Sequence, residues 1–208
     1  MRFTGVPKIV RWMLHSAIWR IPSHDRVLYL TFDDGPTKRC AEILDLLDAY
    51  DAKATFFCVG ENVKKNPELF EELLMRGHAV GQHTFSHLNG WKVSLSVYLK
   101  DIEQAQEWIP SKLFRPPYGK MTSQQYRNLK SKFKIVMWTH LSYDFDLEFN
   151  EIKFFKRFYT KFKSGDIVVL HDNLKCFDKS KSMLEVFLRW AKENNIQCRA
   201  IKEEDVKL

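Results

Sequence analysis

The stretch Tyr29–Pro36, "YLTFDDGP", ends an apolar run on two adjacent carboxylates. Val27–Phe32 is almost continuously apolar, as a strand covered on both faces should be. Asp-Gly and Gly-Pro form turns readily, and one Asp suffices for that. Two side by side repel each other unless a cation or basic group lies near them. The stretch therefore raises two questions: what sheet this strand belongs to, and what compensates Asp33 and Asp34.

Working outward, strand-like runs recur at Ala54–Val59, His78–Gln82, Leu113–Arg115, Phe133–Thr139, Ile167–His171 and Ile196–Ile201. Helix-like stretches lie between most of them: Cys40–Tyr50, one opened by Asn66 as cap and Pro67 and stopped by Gly77, Ser94–Trp108, Thr122–Ser131, Asn150–Phe162 and Met183–Lys192. This alternation predicts an α/β fold, a distorted (β/α) barrel with about seven parallel strands, one short of a full eightfold TIM-like barrel. In such folds reactive residues gather where strands end. Here "GQHTFSH" (Gly81–His87), "RPPYG" (Arg115–Gly119), "YDFD" (Tyr143–Asp146) and "LHDN" (Leu170–Asn173) each follow a strand-like run with polar or ionisable groups.

The chain of 208 residues is long enough for one domain, expected over residues 26–208, after an N-terminal segment at 1–25. Its net charge is +7, but Lys and Arg are scattered and no nucleic-acid motif is present, so a solvated basic surface and no nucleic-acid partner are expected. The four cysteines form no C-x-x-C pair, which removes zinc-ribbon and thioredoxin-like readings; Cys58 and Cys198 read as buried core. Residues 7–20, "PKIVRWMLHSAIWR", are too charged and too short to span a membrane. They read as a helix covering one end of the domain or, alternatively, as an interfacial helix making peripheral membrane contact. They contain no uninterrupted apolar core of a signal peptide, and a cytoplasmic or membrane-peripheral location is expected. A monomer is expected.

His83 and His87 are four apart, a spacing that on a helical turn puts two imidazoles on one face. With one carboxylate from Asp33-Asp34 they outline a hydrolytic metal site, in which the second carboxylate remains available as a base.

"TFDDGP", "HTFSH", "FRPPYG" and "VVLHD", in this order, resemble the motifs of the polysaccharide deacetylase family, carbohydrate esterase family 4, over roughly residues 26–201. The resemblance implies a metal-dependent hydrolase that removes N-acetyl groups from an N-acetylhexosamine-containing glycan or glycoconjugate and releases acetate. It implies that Asp34, His83 and His87 hold a divalent metal, zinc being the default for this ligand set. Asp33 is then the general base, Arg115 its partner, His171 the acid that protonates the leaving amine, and Asp144 the group that orients His171. Tyr118 contributes a backbone N–H to the oxyanion, Leu170 a wall for the acetyl methyl, and Pro116 and Phe145 the substrate surface. Two positions depart from the family pattern: Leu141 stands where many relatives have Asp, and Phe145 where they have a Trp that walls the groove. Two other readings stay open: a catalytically silent glycan-binding module of the same fold, and a two-His-one-carboxylate iron oxygenase. Retention of both Asp33 and His171 speaks against the first, and the α/β alternation against the second.

Overall fold

The structure is a computed structural model that describes residues 11–12, 14–146 and 148–206. Strand β1 (Val27–Asp33) is buried along its whole length and organises the sheet. It is followed by α1 (Cys40–Ala49), β2 (Thr55–Cys58), α2 (Gly60–Lys65), α3 (Pro67–Met75), β3 (Ala79–Gln82) and α4 (Leu95–Gln106). Then come β4 (Leu113–Phe114), α5 (Ser123–Leu129), β5 (Lys134–Ile135), β6 (His140–Leu141), α6 (Glu151–Lys161), β7 (Asp166–His171), α7 (Phe177–Glu193) and β8 (Gln197–Cys198). The strand order is β5-β4-β3-β2-β1-β7-β6, all parallel, and β8 pairs with the start of β1 beside it.

Period-two alternation divides the core into two faces. Leu28, Leu30, Phe32, Phe56, Cys58, Val168 and Leu170 pack outward against Ile43, Leu44 and Leu47 of α1, Phe154 and Phe158 of α6 and Phe187 of α7. Val27, Tyr29, Phe57, Leu113 and Ile167 form a smaller inner cluster. Inward positions at the strand ends are thus left for polar groups. The Phe-rich run of α6 buries Phe154, Phe155 and Phe158, as core packing requires.

The N-terminal segment joins the barrel. The helix expected over 7–20 falls partly on residues outside those described. Among the described residues, 11–12 are helical and 14–16 form a turn, and Ile18 and Arg20 form single bridges to Val136 and Asp166. Ile18 N–H donates to Ile135 O (2.8 Å), Met137 N–H to Ile18 O (2.7 Å) and Ile21 N–H to Gly165 O (3.0 Å). Leu14 and Ala17 are buried with Tyr98, Phe114 and Tyr126. The buried Asp166 carboxylate is compensated by Arg20 (2.7 Å) and His140 (2.8 Å), which gives His140 a structural place.

Other sequence expectations shift. Phe133–Thr139 is one extended run, but only Lys134 and Ile135 belong to a ladder; the rest crosses to β6 with no helix between. Asn66 stands at the N-cap of α3 with Pro67 at its first position, as expected, but its side chain makes no capping bond and donates to Asn62 O (3.0 Å) and Pro36 O (3.4 Å) instead. Helix α7 begins six residues before the expected Met183. Among the described residues no helix is long and apolar enough to cross a membrane.

Candidate active site

Thr31 and Asp33 continue the inward row of β1 and point into the barrel mouth. Asp34 would face outward in a regular strand, but its φ of 78° breaks the alternation. Asp is one of the residues that tolerates this left-handed conformation. Its carbonyl accepts from Asn62 Nδ2 (2.7 Å), and the turn beyond is held by Asp172, which accepts from Thr37 N (3.0 Å) and Thr37 Oγ1 (2.5 Å). Gly35 is required there, since a Cβ would lie 2.3 Å from Asp172 Oδ2. Both carboxylates of the pair therefore open into one cavity of about 580 Å³.

They are compensated differently. Arg115, fully buried, donates to Asp33 Oδ1 (2.7 Å) and to Thr31 Oγ1 (2.6 Å). Its remaining nitrogens donate to Val136 O and Met137 O (both 3.1 Å), and its guanidinium lies 4.0 Å from the Phe57 ring centroid. A buried pair held this completely is fixed in orientation, and removing either partner would strand the other charge. Asp34 Oδ1 lies 3.1 Å from His87 Nε2 and 3.8 Å from His83 Nε2, while Asp34 Oδ2 accepts from Asn173 Nδ2 (3.0 Å). Burial opposes ionisation of Asp34, but the bond to His87 and the charges of His171 and His83 hold its carboxyl well below the usual carboxylate range.

His83 and His87 are not on a helical turn. Thr84 and His87 both have positive φ (61° and 54°), and the loop is shaped from outside. Asp101 of α4 accepts from Phe85 N (2.8 Å) and Ser86 N (3.1 Å). The first N–H groups of α2, from Gly60 and Glu61, donate to Thr84 O (3.0 Å) and Phe85 O (2.9 Å). His83 Nδ1 donates to Arg115 O (2.8 Å), which leaves its Nε2 lone pair toward Asp34. Burial pulls the His83 pKa down to about 4, so the ring is neutral and able to ligate. Ligand atoms of Asp34, His83 and His87 lie within 4.8 Å of one another. Two imidazole nitrogens and one carboxylate oxygen in a cluster this tight fit a divalent metal ion.

Across the mouth, His171 ends the inward row of β7. Its Nδ1 donates to Asp144 Oδ1 (2.7 Å), and its backbone N–H to Asp144 Oδ2 (2.7 Å). Burial opposes protonation, but the Asp144 charge, with Asp33 and Asp34 behind it, raises the His171 pKa to about 9. Phe145, half exposed, stands edge-on to this ring at 5.2 Å. Tyr118, at φ 60°, packs its ring 4.7 Å from His87.

Of the residues singled out from the sequence, Asp33, Asp34, His83, His87, Tyr118, Phe145 and His171 line the cavity, with Arg115 and Asp144 buried directly behind. Leu170 and Pro116 do not line it. Leu170 faces outward into the helix-packed core, one position out of phase with His171, and Val169 and Leu141 supply the apolar wall instead. Asn173, Asn62 and Asp101 were missed. Asn173 stood in the quoted "LHDN" and carried a signal by position alone; the other two lie on α4 and the short α2, away from any motif.

A parallel barrel whose rim unites a cluster able to hold a metal ion, a carboxylate braced by arginine and an imidazolium braced by carboxylate has the parts of a hydrolase of carbonyl compounds. The polysaccharide deacetylase family profile matches residues 20–138, and the chain belongs to that family. It is 34% identical over 162 residues to a peptidoglycan-N-acetylglucosamine deacetylase of Bacillus cereus, covering 74% of this chain and 76% of that one. A solved peptidoglycan N-acetylglucosamine deacetylase superposes with a TM-score of 0.83 at 26% identity, over 97% of this chain and 96% of that one. The peptidoglycan deacetylase PdaC from Bacillus subtilis gives 0.75 at 27% identity, over 86% and 89%.

Proposed function

We propose that the protein is a divalent-metal-dependent N-deacetylase of glycans containing N-acetylhexosamine, with peptidoglycan-type chains the favoured class because the relatives above carry that name. The carrying observation is that the Asp33–Arg115 pair and the His171–Asp144 pair open into the same cavity as Asp34, His83 and His87. A divalent ion held by Asp34, His83 and His87, with zinc favoured by the ligand type, supplies Lewis acidity to the acetamide carbonyl and to water.

The chain's own groups do the rest. Asp33, anchored through Oδ1, has Oδ2 free to take a proton as water attacks the carbonyl carbon. Among the described residues no acceptor is found for the Tyr118 N–H, which suits it to the oxyanion that develops. His171, protonated at neutral pH, donates its Nε2 proton to the amide nitrogen, which leaves only as an amine. Products are acetate and a free amino sugar. Val169 and Leu141 provide an apolar surface for the acetyl methyl.

The test is acetate release from acetylglucosamine oligomers and peptidoglycan, with metal content assayed on each variant. Asp33→Asn and His171→Ala are expected to keep the metal and to lower kcat by about 10²–10⁴. Asp34→Asn is expected to lose the metal. If Asp33→Asn loses the metal and Asp34→Asn keeps it, the roles within the pair are reversed and the proposal fails.

A further inference from the structure

Asn173 lines the cavity, and the deacetylation chemistry assigns it nothing. Its contact is with Asp34, and that contact differs in kind from the one made to Asp33. Asp33 meets a buried guanidinium, which compensates its charge. Asn173 offers Asp34 a neutral donor, Nδ2 lying 3.0 Å from Oδ2. An amide N–H orients a carboxylate without neutralising it, so the charge of Asp34 stays available to a cation.

The sheet delivers Asn173 to this place. Strands β1 and β7 pair in register as far as Asp33 and His171, and Asp172 N–H then donates to Asp33 O (2.9 Å). The loop beyond is fixed by Cys176 N–H, which donates to Asn173 O (3.0 Å). The amide has one orientation: Oδ1 accepts from Lys175 N (3.1 Å), which turns Nδ2 toward Asp34. The opposite oxygen, Asp34 Oδ1, faces the imidazoles, 3.1 Å from His87 Nε2 and 3.8 Å from His83 Nε2. One oxygen therefore meets an N–H and the other the ligand cluster. The terminal torsion of an aspartate is broad, so without the amide the carboxylate is free to turn and to offer both oxygens to one ion.

We propose that Asn173 is a positioning residue for the metal centre: it holds the Asp34 carboxylate so that Oδ1 alone meets the ion, which keeps a position open for water or the acetamide carbonyl. The inference rests on the metal reading above for the presence of the ion, and on Asn173 for how the ion is held.

The experiment titrates zinc by calorimetry into chelator-stripped full chain, Asn173→Leu and Asn173→Ser. Leucine has similar bulk and no donor. Serine still accepts from Lys175 N–H, but its hydroxyl is one bond shorter than the amide nitrogen and falls short of Asp34. Both variants are expected to bind zinc about 10–100-fold more weakly than the full chain. Cobalt is the second probe, because its visible absorption per bound ion weakens as the coordination number rises. That absorption is expected to be weaker in both variants. Stripped Asn173→Ser is expected to melt at the same temperature as the stripped full chain. Zinc binding as tight in both variants as in the full chain overturns the inference and leaves the metal reading standing. Weaker zinc binding with an unchanged cobalt spectrum overturns it as well. So does weaker binding joined to a lower melting temperature of stripped Asn173→Ser, since the residue then supports the loop rather than the carboxylate. A full chain that binds no zinc or cobalt overturns the metal reading, and the inference falls with it.

Discussion

Asp33 and Asp34 are neighbours in the chain with different electrostatic partners. Asp33 follows the strand and meets a buried guanidinium; Asp34 leaves the strand through a positive φ and meets imidazoles. That split is what allows two adjacent carboxylates to take two roles. On the opposite side, the His171 pKa of about 9 sets the direction of the pH dependence. The imidazolium is the active form, so kcat is expected to hold through neutral pH and to fall as pH rises through about 9. Asp144→Asn removes the nearest cause of the raised pKa, and the alkaline limb of the kcat profile should move to lower pH. An alkaline limb that stays in place would remove His171 as the acid. The stability term has the same sign. The folded pKa lies above the ordinary value of about 6.5. The His171–Asp144 pair therefore stabilises fully below about that pH, and its contribution is lost as pH rises from there through about 9. Asp33, Asp34, His83, Arg115 and His171 were legible because each stands at or just past the end of an apolar run. Leu170 was not, because the motif that contains it says nothing about phase. Counting by twos back from His171 places Val169, not Leu170, at the cavity.

At the scale of elements, the inner face of the barrel supports the site from below. Gly81 of β3 leaves room for Phe57, whose ring underlies Arg115: an added Cβ would lie 2.6 and 2.7 Å from that ring and 3.1 Å from Leu113 Cβ. Gly81→Ala is expected to destabilise the fold by about 1–3 kcal/mol in urea denaturation and to lower acetate release by disturbing Arg115. A variant unchanged in both would show that the Phe57–Arg115 stack has no part in positioning Asp33. Long periodic elements were readable from the sequence: β1, α1, α4 and α6 lie within a residue or two of their expected bounds. Short ones were not. Helix α2 has six residues and β6 two, too few for any period to register. The His83–His87 spacing would align the two rings on a helical turn, but the segment is a loop, for a related reason. Its shape is imposed by Asp101 and by the start of α2, contacts made at a distance along the chain.

At the scale of the whole molecule, the barrel is closed between β5 and β7 by residues 18–21, a strand-like role that a segment with Lys, Arg and Trp in its sequence did not announce. Parallel alternation did announce the class of fold: the seven expected runs appear as β1–β5, β7 and β8, and the two-residue β6 is the strand that was not expected. The curled sheet brings groups from the ends of β1, β3, β4, β6 and β7 to one cavity, and the functional proposal depends on a metal ion held there by Asp34, His83 and His87. The most direct measurement is acetate release by protein stripped with chelator and then titrated with zinc. Release is expected to vanish on stripping and to return in proportion to added metal up to about one equivalent, with no return in Asp34→Ala. Stripped protein that releases acetate at the full rate would contradict the account.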